Sequence, residues 1–98
     1  MSKFKETIIE LGNVKTNTRK KIFFTFNGNV GTIKRVAASC SCTTPKVKKD
    51  GVEVIFNSGA FPKQLLGRDY YETMKQVIVY FENGEKEVLT FKAKIVKK

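Results

Sequence analysis

Histidine and tryptophan are absent from this chain of 98 residues, and proline and cysteine occur only twice each. Without histidine the commonest general base and the commonest metal ligand near neutral pH are both missing. No G-x-S-x-G elbow, P-loop or glycine-rich dinucleotide turn is present. The nine carboxylates are dispersed along the chain, with no pair placed as a glycosidase requires. The expectation is a protein without catalytic residues, cofactor or metal site. Long apolar runs are also lacking: no stretch approaches the roughly 18 residues of a membrane helix, so no membrane insertion is expected. The first residues, Met1-Ser2-Lys3-Phe4-Lys5-Glu6, contain no apolar core of an export signal. That implies synthesis and residence in the cytoplasm, or in a particle assembled there. In such a compartment Cys40 and Cys42 are expected as thiols, without a disulfide framework.

Acidic residues are few against nineteen lysines and arginines, which leaves a formal charge of +10. A field of that size attracts polyanions or acidic protein faces, although lysines also serve to blunt sheet edges. The basic residues fall in groups, of which Lys15, Arg19, Lys20 and Lys21 surround the first turn. Lys92 and Lys94 share one face of the last segment and, with Lys97 and Lys98, form the best candidate stripe for polyanion contacts.

The apolar residues alternate with period two nearly everywhere. Ile22, Phe24 and Phe26 share one face, as do Val52, Val54 and Phe56, then Val77, Val79 and Phe81, then Leu89, Phe91, Ala93 and Ile95. Turn residues separate these runs at Gly12-Asn13, Asn27-Gly28-Asn29, Asp50-Gly51 and Asn83-Gly84, the last read as a type I′ hairpin turn. The spacing predicts strands over roughly Lys3–Leu11, Arg19–Asn27, Gly31–Ala38, Cys42–Val47, Val52–Asn57, Lys75–Glu82 and Lys86–Val96. The expected fold is a single domain, residues 1–98: an immunoglobulin-like β-sandwich of about seven antiparallel strands. Ser58–Thr73 has no sustained period and reads as a long loop, either a contact surface or a plug for the open end of the sandwich. Leu65, Leu66, Tyr70 and Tyr71 are its candidate partner contacts.

The compact constellation is Cys40-Ser41-Cys42. In an extended chain its Cα atoms stand about 6.6 Å apart, at the outer edge of disulfide geometry. Two thiolates at that spacing suit a soft ion such as Cu(I), but a closed zinc site needs four ligands. The simpler reading is a pair of small, buried hydrophobes beside a strand bend.

The succession Leu11-Gly12-Asn13-Val14, a basic turn, Phe24-Thr25-Phe26-Asn27-Gly28, Ile33, Val36 and Ala38-Ser39-Cys40-Ser41-Cys42-Thr43 resembles the bacterial Cys-x-Cys immunoglobulin-like domains of unknown function. These are relatives of the domain shared by ASPM and Hydin and, more distantly, of the major sperm protein fold. The likeness spans nearly the whole chain and makes Cys40 and Cys42 a family motif. Many members have glycine where this chain has Ser41, and they carry export signals. An unexported single domain of this kind is similar to the small immunoglobulin-like accessory proteins of tailed-phage particles. The resemblance implies a non-enzymatic structural or adaptor module that docks on a capsid or tail protein surface. The charge keeps a small nucleic-acid-binding protein as the alternative.

Overall fold

The computed structural model describes residues 3–28, 30–65 and 67–97. Seven strands follow in order: β1 (Ile8–Lys15), β2 (Arg19–Thr25), β3 (Ile33–Ala38), β4 (Thr43–Val47), β5 (Gly51–Asn57), β6 (Tyr70–Phe81) and β7 (Lys86–Val96). They form a four-stranded sheet, β1-β7-β6-β3, and a three-stranded sheet, β2-β5-β4. Two sheets facing one another, each apolar on its inner face, make an all-β sandwich of immunoglobulin-like type.

The alternation read from the sequence supplies that inner face. Phe24, Val52, Val54, Val77, Val79, Leu89, Phe91 and Ile95 have no exposed surface, and Phe56 retains only 2%. The rings of Phe56 and Phe91, one from each sheet, meet edge to face at 5.2 Å. This contact ties the layers together at mid-sandwich.

The start of the chain departs from expectation. A single strand over Lys3–Leu11 is replaced by two pieces in different sheets. Phe4 bridges Phe26 at the edge of the three-stranded sheet, with Lys5 N–H donating to Thr25 O at 2.9 Å and Asn27 N–H to Lys3 O at 2.8 Å. The chain then crosses the sandwich and enters the other sheet as β1, parallel to β7. The strands are therefore not all antiparallel. A parallel pair needs a long connection between its members, and the rest of the domain lies between β1 and β7.

Gly12-Asn13 is not a junction either. Glu10 sits opposite Lys92 but Asn13 opposite Lys94, so an extra residue bulges from β1 at Gly12, where φ is +71°. Glycine reaches that region without a Cβ clash. The bulge resets the alternation, so that Ile9 and Leu11 before it and Val14 after it all pack on the core. The Asn83-Gly84 hairpin is present with a different turn. Asn83 does not take positive φ, whereas Gly84 does, at +92°. Gly84 N–H donates to Phe81 O at 3.1 Å and Phe81 N–H to Glu85 O at 2.9 Å, the pattern of a three-residue loop ending in a glycine bulge.

Ser58–Thr73 is shorter as a loop than expected. It contains a 3-10 turn at Lys63–Leu65, and its last four residues belong to β6. Tyr71 and Thr73 alternate in phase with Val77 and Val79, but the tyrosine pair and the polar residues around it hide that period.

Removing the ring that joins the sheets tests this account of the core. Phe91→Ala should lower unfolding free energy by about 3–5 kcal/mol in urea titration. Phe23→Ala, on the solvent face, should change it by roughly 0.5 kcal/mol or less.

Candidate functional site at the disulfide end of the sandwich

Strand ends place most of the sequence-singled residues at one end of the molecule. The β1–β2 turn, the β3–β4 crossover, the start of the 58–69 loop, the first residues of β6 and the last of β7 all meet there. The organising residue is Ser58, which is buried although it opens a loop. Its hydroxyl donates to Lys15 O at 2.7 Å, with Thr18 O at 3.2 Å, and accepts the Thr18 N–H at 3.0 Å. Ser58 N–H donates to Thr18 O at 2.9 Å, and Asn17, in the left-handed region, donates its N–H to Gly59 O at 2.7 Å. One small side chain thus satisfies the backbone of the turn that joins the two sheets. The sequence offered little sign of this role, since a serine after a strand is ordinary turn chemistry.

Cys40 and Cys42 lie in the crossover from β3 to β4, and their sulfurs are bonded to each other. This corrects the expectation of thiols. The expectation rested on an extended segment, but the chain turns at Ser39–Cys42, with Thr43 N–H donating to Cys40 O at 3.1 Å, and the Cα atoms close to 5.2 Å. With both sulfurs bonded, no thiolate pair is available to hold Cu(I). The cysteines are half-buried, and Cys42 packs against the core.

The candidate contacts of the long loop separate. Leu65 ends the 3-10 turn, half-buried, while Leu66 lies outside the described residues. Tyr70 and Tyr71 are strand residues pointing to opposite faces. Tyr71 turns inward and meets the Phe61 ring edge-on at 5.2 Å. Tyr70 faces solvent, with Lys94 Nζ 4.0 Å and the Arg68 guanidinium 6.0 Å from its ring centre. Phe61, which sequence reasoning passed over, also carries Lys97 Nζ at 5.2 Å.

The basic residues do not form one stripe. Lys15 lies on the outer face of the four-stranded sheet beside Val96. Arg19 and Lys21 lie on the outer face of the three-stranded sheet, opposite Asn57 and Ile55, and Lys20 points the other way, opposite Phe56. Lys21 pairs with Glu53 at 3.9 Å, the lysine exposed and the carboxylate half-buried, a bridge of small energy. Lys92 faces Glu10 and Lys94 faces Glu72 across the ladders, so the last strand's lysines sit among carboxylates. Lys98 lies outside the described residues. Cations stand at both ends of the molecule. At the end with the two hairpin turns Glu82, Glu85, Glu87 and Asp50 stand beside Lys48, Lys49 and Lys86, and Lys3 Nζ approaches Glu85 at 3.7 Å. At the disulfide end Lys15, Arg19, Lys63, Arg68, Lys75 and Lys97 are matched only by Asp69 and Glu72 in the same segments.

The outer face of the four-stranded sheet carries apolar surface. Ile8 is 58% exposed, Met74 55% and Val88 41%. Ile8 pairs with Thr90, Thr90 with Gln76, and Val88 with Ile78. Thr90 therefore sits among these side chains and is buried despite facing outward. Among the described residues no three His, Cys, Asp or Glu side chains converge as metal ligands, and no helix is long and apolar enough to cross a membrane. No protein-family model matches the chain, and no curated protein matches it significantly.

Two substitutions test the site. Ser58→Ala removes the acceptor of the Thr18 N–H and the donor to Lys15 O, and should destabilise the domain by about 1–3 kcal/mol in denaturant titration. Thiol titration of the folded, unreduced protein should find neither cysteine reactive, and both should react after reduction and unfolding; two reactive thiols at the outset would contradict the bonded pair.

Proposed function

We propose that this chain is a non-enzymatic structural or adaptor module that docks on a protein surface, the role of an accessory component on a tailed-phage capsid or tail. The observation that supports this reading is the apolar outer face of the four-stranded sheet. Scattered apolar side chains on a surface carry little meaning, but several on one flat sheet face favour contact with another protein. Ile8 and Val88 flank Thr90 there, Met74 lies one row beyond, and the charges of Lys92, Glu10, Lys86 and Arg35 surround them. An apolar centre with a polar rim is the usual anatomy of a protein interface. The resemblance of the Ala38–Thr43 stretch and the Leu11–Val14 stretch to the Cys-x-Cys domains points the same way.

The cations at the disulfide end, within a net charge of +10, support a second reading, nucleic-acid binding there. Lys15 and Arg19 stand on the outer faces of the two sheets there, with Lys63 and Arg68 in the 58–69 segment and Lys97 just after β7. Such binding is carried by phosphate neutralisation and weakens steeply with salt.

Sedimentation of native particles together with crosslinking tests the first reading. The protein is expected to co-sediment with the assembly, with crosslinks from Lys86 and Lys92. An Ile8→Glu/Val88→Glu variant should fold yet lose attachment by tenfold or more, about 1.4 kcal/mol or greater. Fluorescence anisotropy with DNA separates the second. Micromolar binding at about 50 mM salt that collapses by about 200 mM would favour the phosphate reading, whereas no binding at low salt would remove it.

A further inference from the structure

β6 and β7 run for twelve and eleven residues, but β3, the neighbour of β6 on its other side, has six. The β3–β6 ladder ends with Ala38 opposite Val77, followed by one last rung in which Ser39 N–H donates to Gln76 O at 3.0 Å. The return bond of that rung is made by a side chain, Gln76 N–H donating to Ser39 Oγ at 3.1 Å. There the main chain turns away into the Cys40–Cys42 crossover. Gln76 therefore points its backbone N–H and C=O away from β7, and by the two-residue repeat of a strand so do Met74 and Glu72. Among the described residues nothing bonds to those groups of Glu72 and Met74 on that side.

We infer that the Tyr70–Lys75 edge of β6 is a strand-addition site, filled by an extended acidic segment of another protein that pairs antiparallel to β6 in the lane β3 vacates. Open edges of this kind accept partner strands through main-chain hydrogen bonds, with alternate side chains setting specificity. The inference deepens the adaptor reading and rests on it. Six residues of edge span about 20 Å, enough for a short segment. The two faces of the lane differ. On the outer face the added strand would lie beside Tyr70, 37% exposed, Met74, 55% exposed, and the exposed Glu72 between them. On the inner face it would lie beside Thr73 and Lys75, beyond the end of β3. Apolar side chains on the outer side, beside Tyr70 and Met74, alternating with acidic ones on the inner side, beside Thr73 and Lys75, suit the two faces. Lys94 stands opposite Glu72, whereas Lys75 and Arg68, the latter over the Tyr70 ring, add to the positive field, and the net charge of +10 disfavours a second copy as the occupant. The disulfide turn acquires a purpose in this arrangement, since it takes the chain off the β6 edge and holds it off.

Amide hydrogen exchange by NMR on the full chain, with an acetylated and amidated alternating Val-Glu octapeptide as probe, tests the inference. In the free protein the Glu72 and Met74 amides should exchange at least about tenfold faster than those of Thr73 and Lys75, which face β7. Saturating peptide should slow the first pair by about tenfold or more, and the Val-Lys counterpart should not. Met74→Pro removes an edge N–H that makes no bond to β7, a position where proline is tolerated, and should abolish peptide binding. The same peptide N-methylated at alternate residues on its β6-facing side should fail against the unaltered protein, a readout independent of how the variant folds. Slow exchange of Glu72 and Met74 in the free protein, or no Val-Glu binding at millimolar concentration, would overturn the inference. So would concentration-dependent protection without peptide, which would identify a second copy as the occupant. Native partner binding that protects the Ile8–Val88 face but leaves Glu72 and Met74 unprotected would refute the edge while leaving the adaptor reading intact.

Discussion

The mismatch in length between the β6–β7 hairpin and the strands packed against it governs this structure. Strands β2, β4 and β5 have five to seven residues, so they cover only part of the longer hairpin's inner face. The remainder would leave Tyr71, Ala93 and Ile95 against water, at a cost that scales with exposed apolar area. The 58–69 segment closes that gap, with Phe61 against Tyr71 and Ser58 tying the segment's root to the β1–β2 turn. The domain is accordingly long and narrow, 47 × 20 × 20 Å.

Two features of the four-stranded sheet, its open edge and its apolar outer face, arise at its two margins. Because β3 is short, β6 keeps an open edge beside the crossover. Because β1 and β7 run parallel at the opposite margin, that margin is extended by a strand entering from the other sheet, and Ile8 is carried onto the outer face next to Thr90. Both features belong to the four-stranded sheet, and the cations near its far end belong to the loop and strand ends that cover the overhang. The open edge thus follows from the length mismatch, and the apolar face from the parallel pairing of β1 with β7.

Among the candidate residues, those defined by a local pattern were legible in the sequence. Leu89, Phe91, Ala93 and Ile95 alternate within one strand and are all buried. Residues whose role depends on what lies across the fold were not. Lys92 and Lys94 share a face as expected, but Glu10 and Glu72 stand opposite them because of register between strands far apart in the chain. The group Lys15, Arg19, Lys20 and Lys21 is contiguous in sequence yet divided between two sheets, since the turn within it is the passage from one layer to the other.

The alternation of apolar side chains determined by itself that this chain forms strands and which residues enter the core, because a strand's period and the free energy of burying its apolar face are both local to the segment. The tertiary structure alone decided that β1 runs parallel to β7, that Gly12 bulges rather than turns, and that Cys40 and Cys42 meet. It alone decided too that, among the described residues, none pairs with the first part of β6 at its edge. Each of these follows from where distant segments are brought side by side, which the order of residues along one segment does not contain.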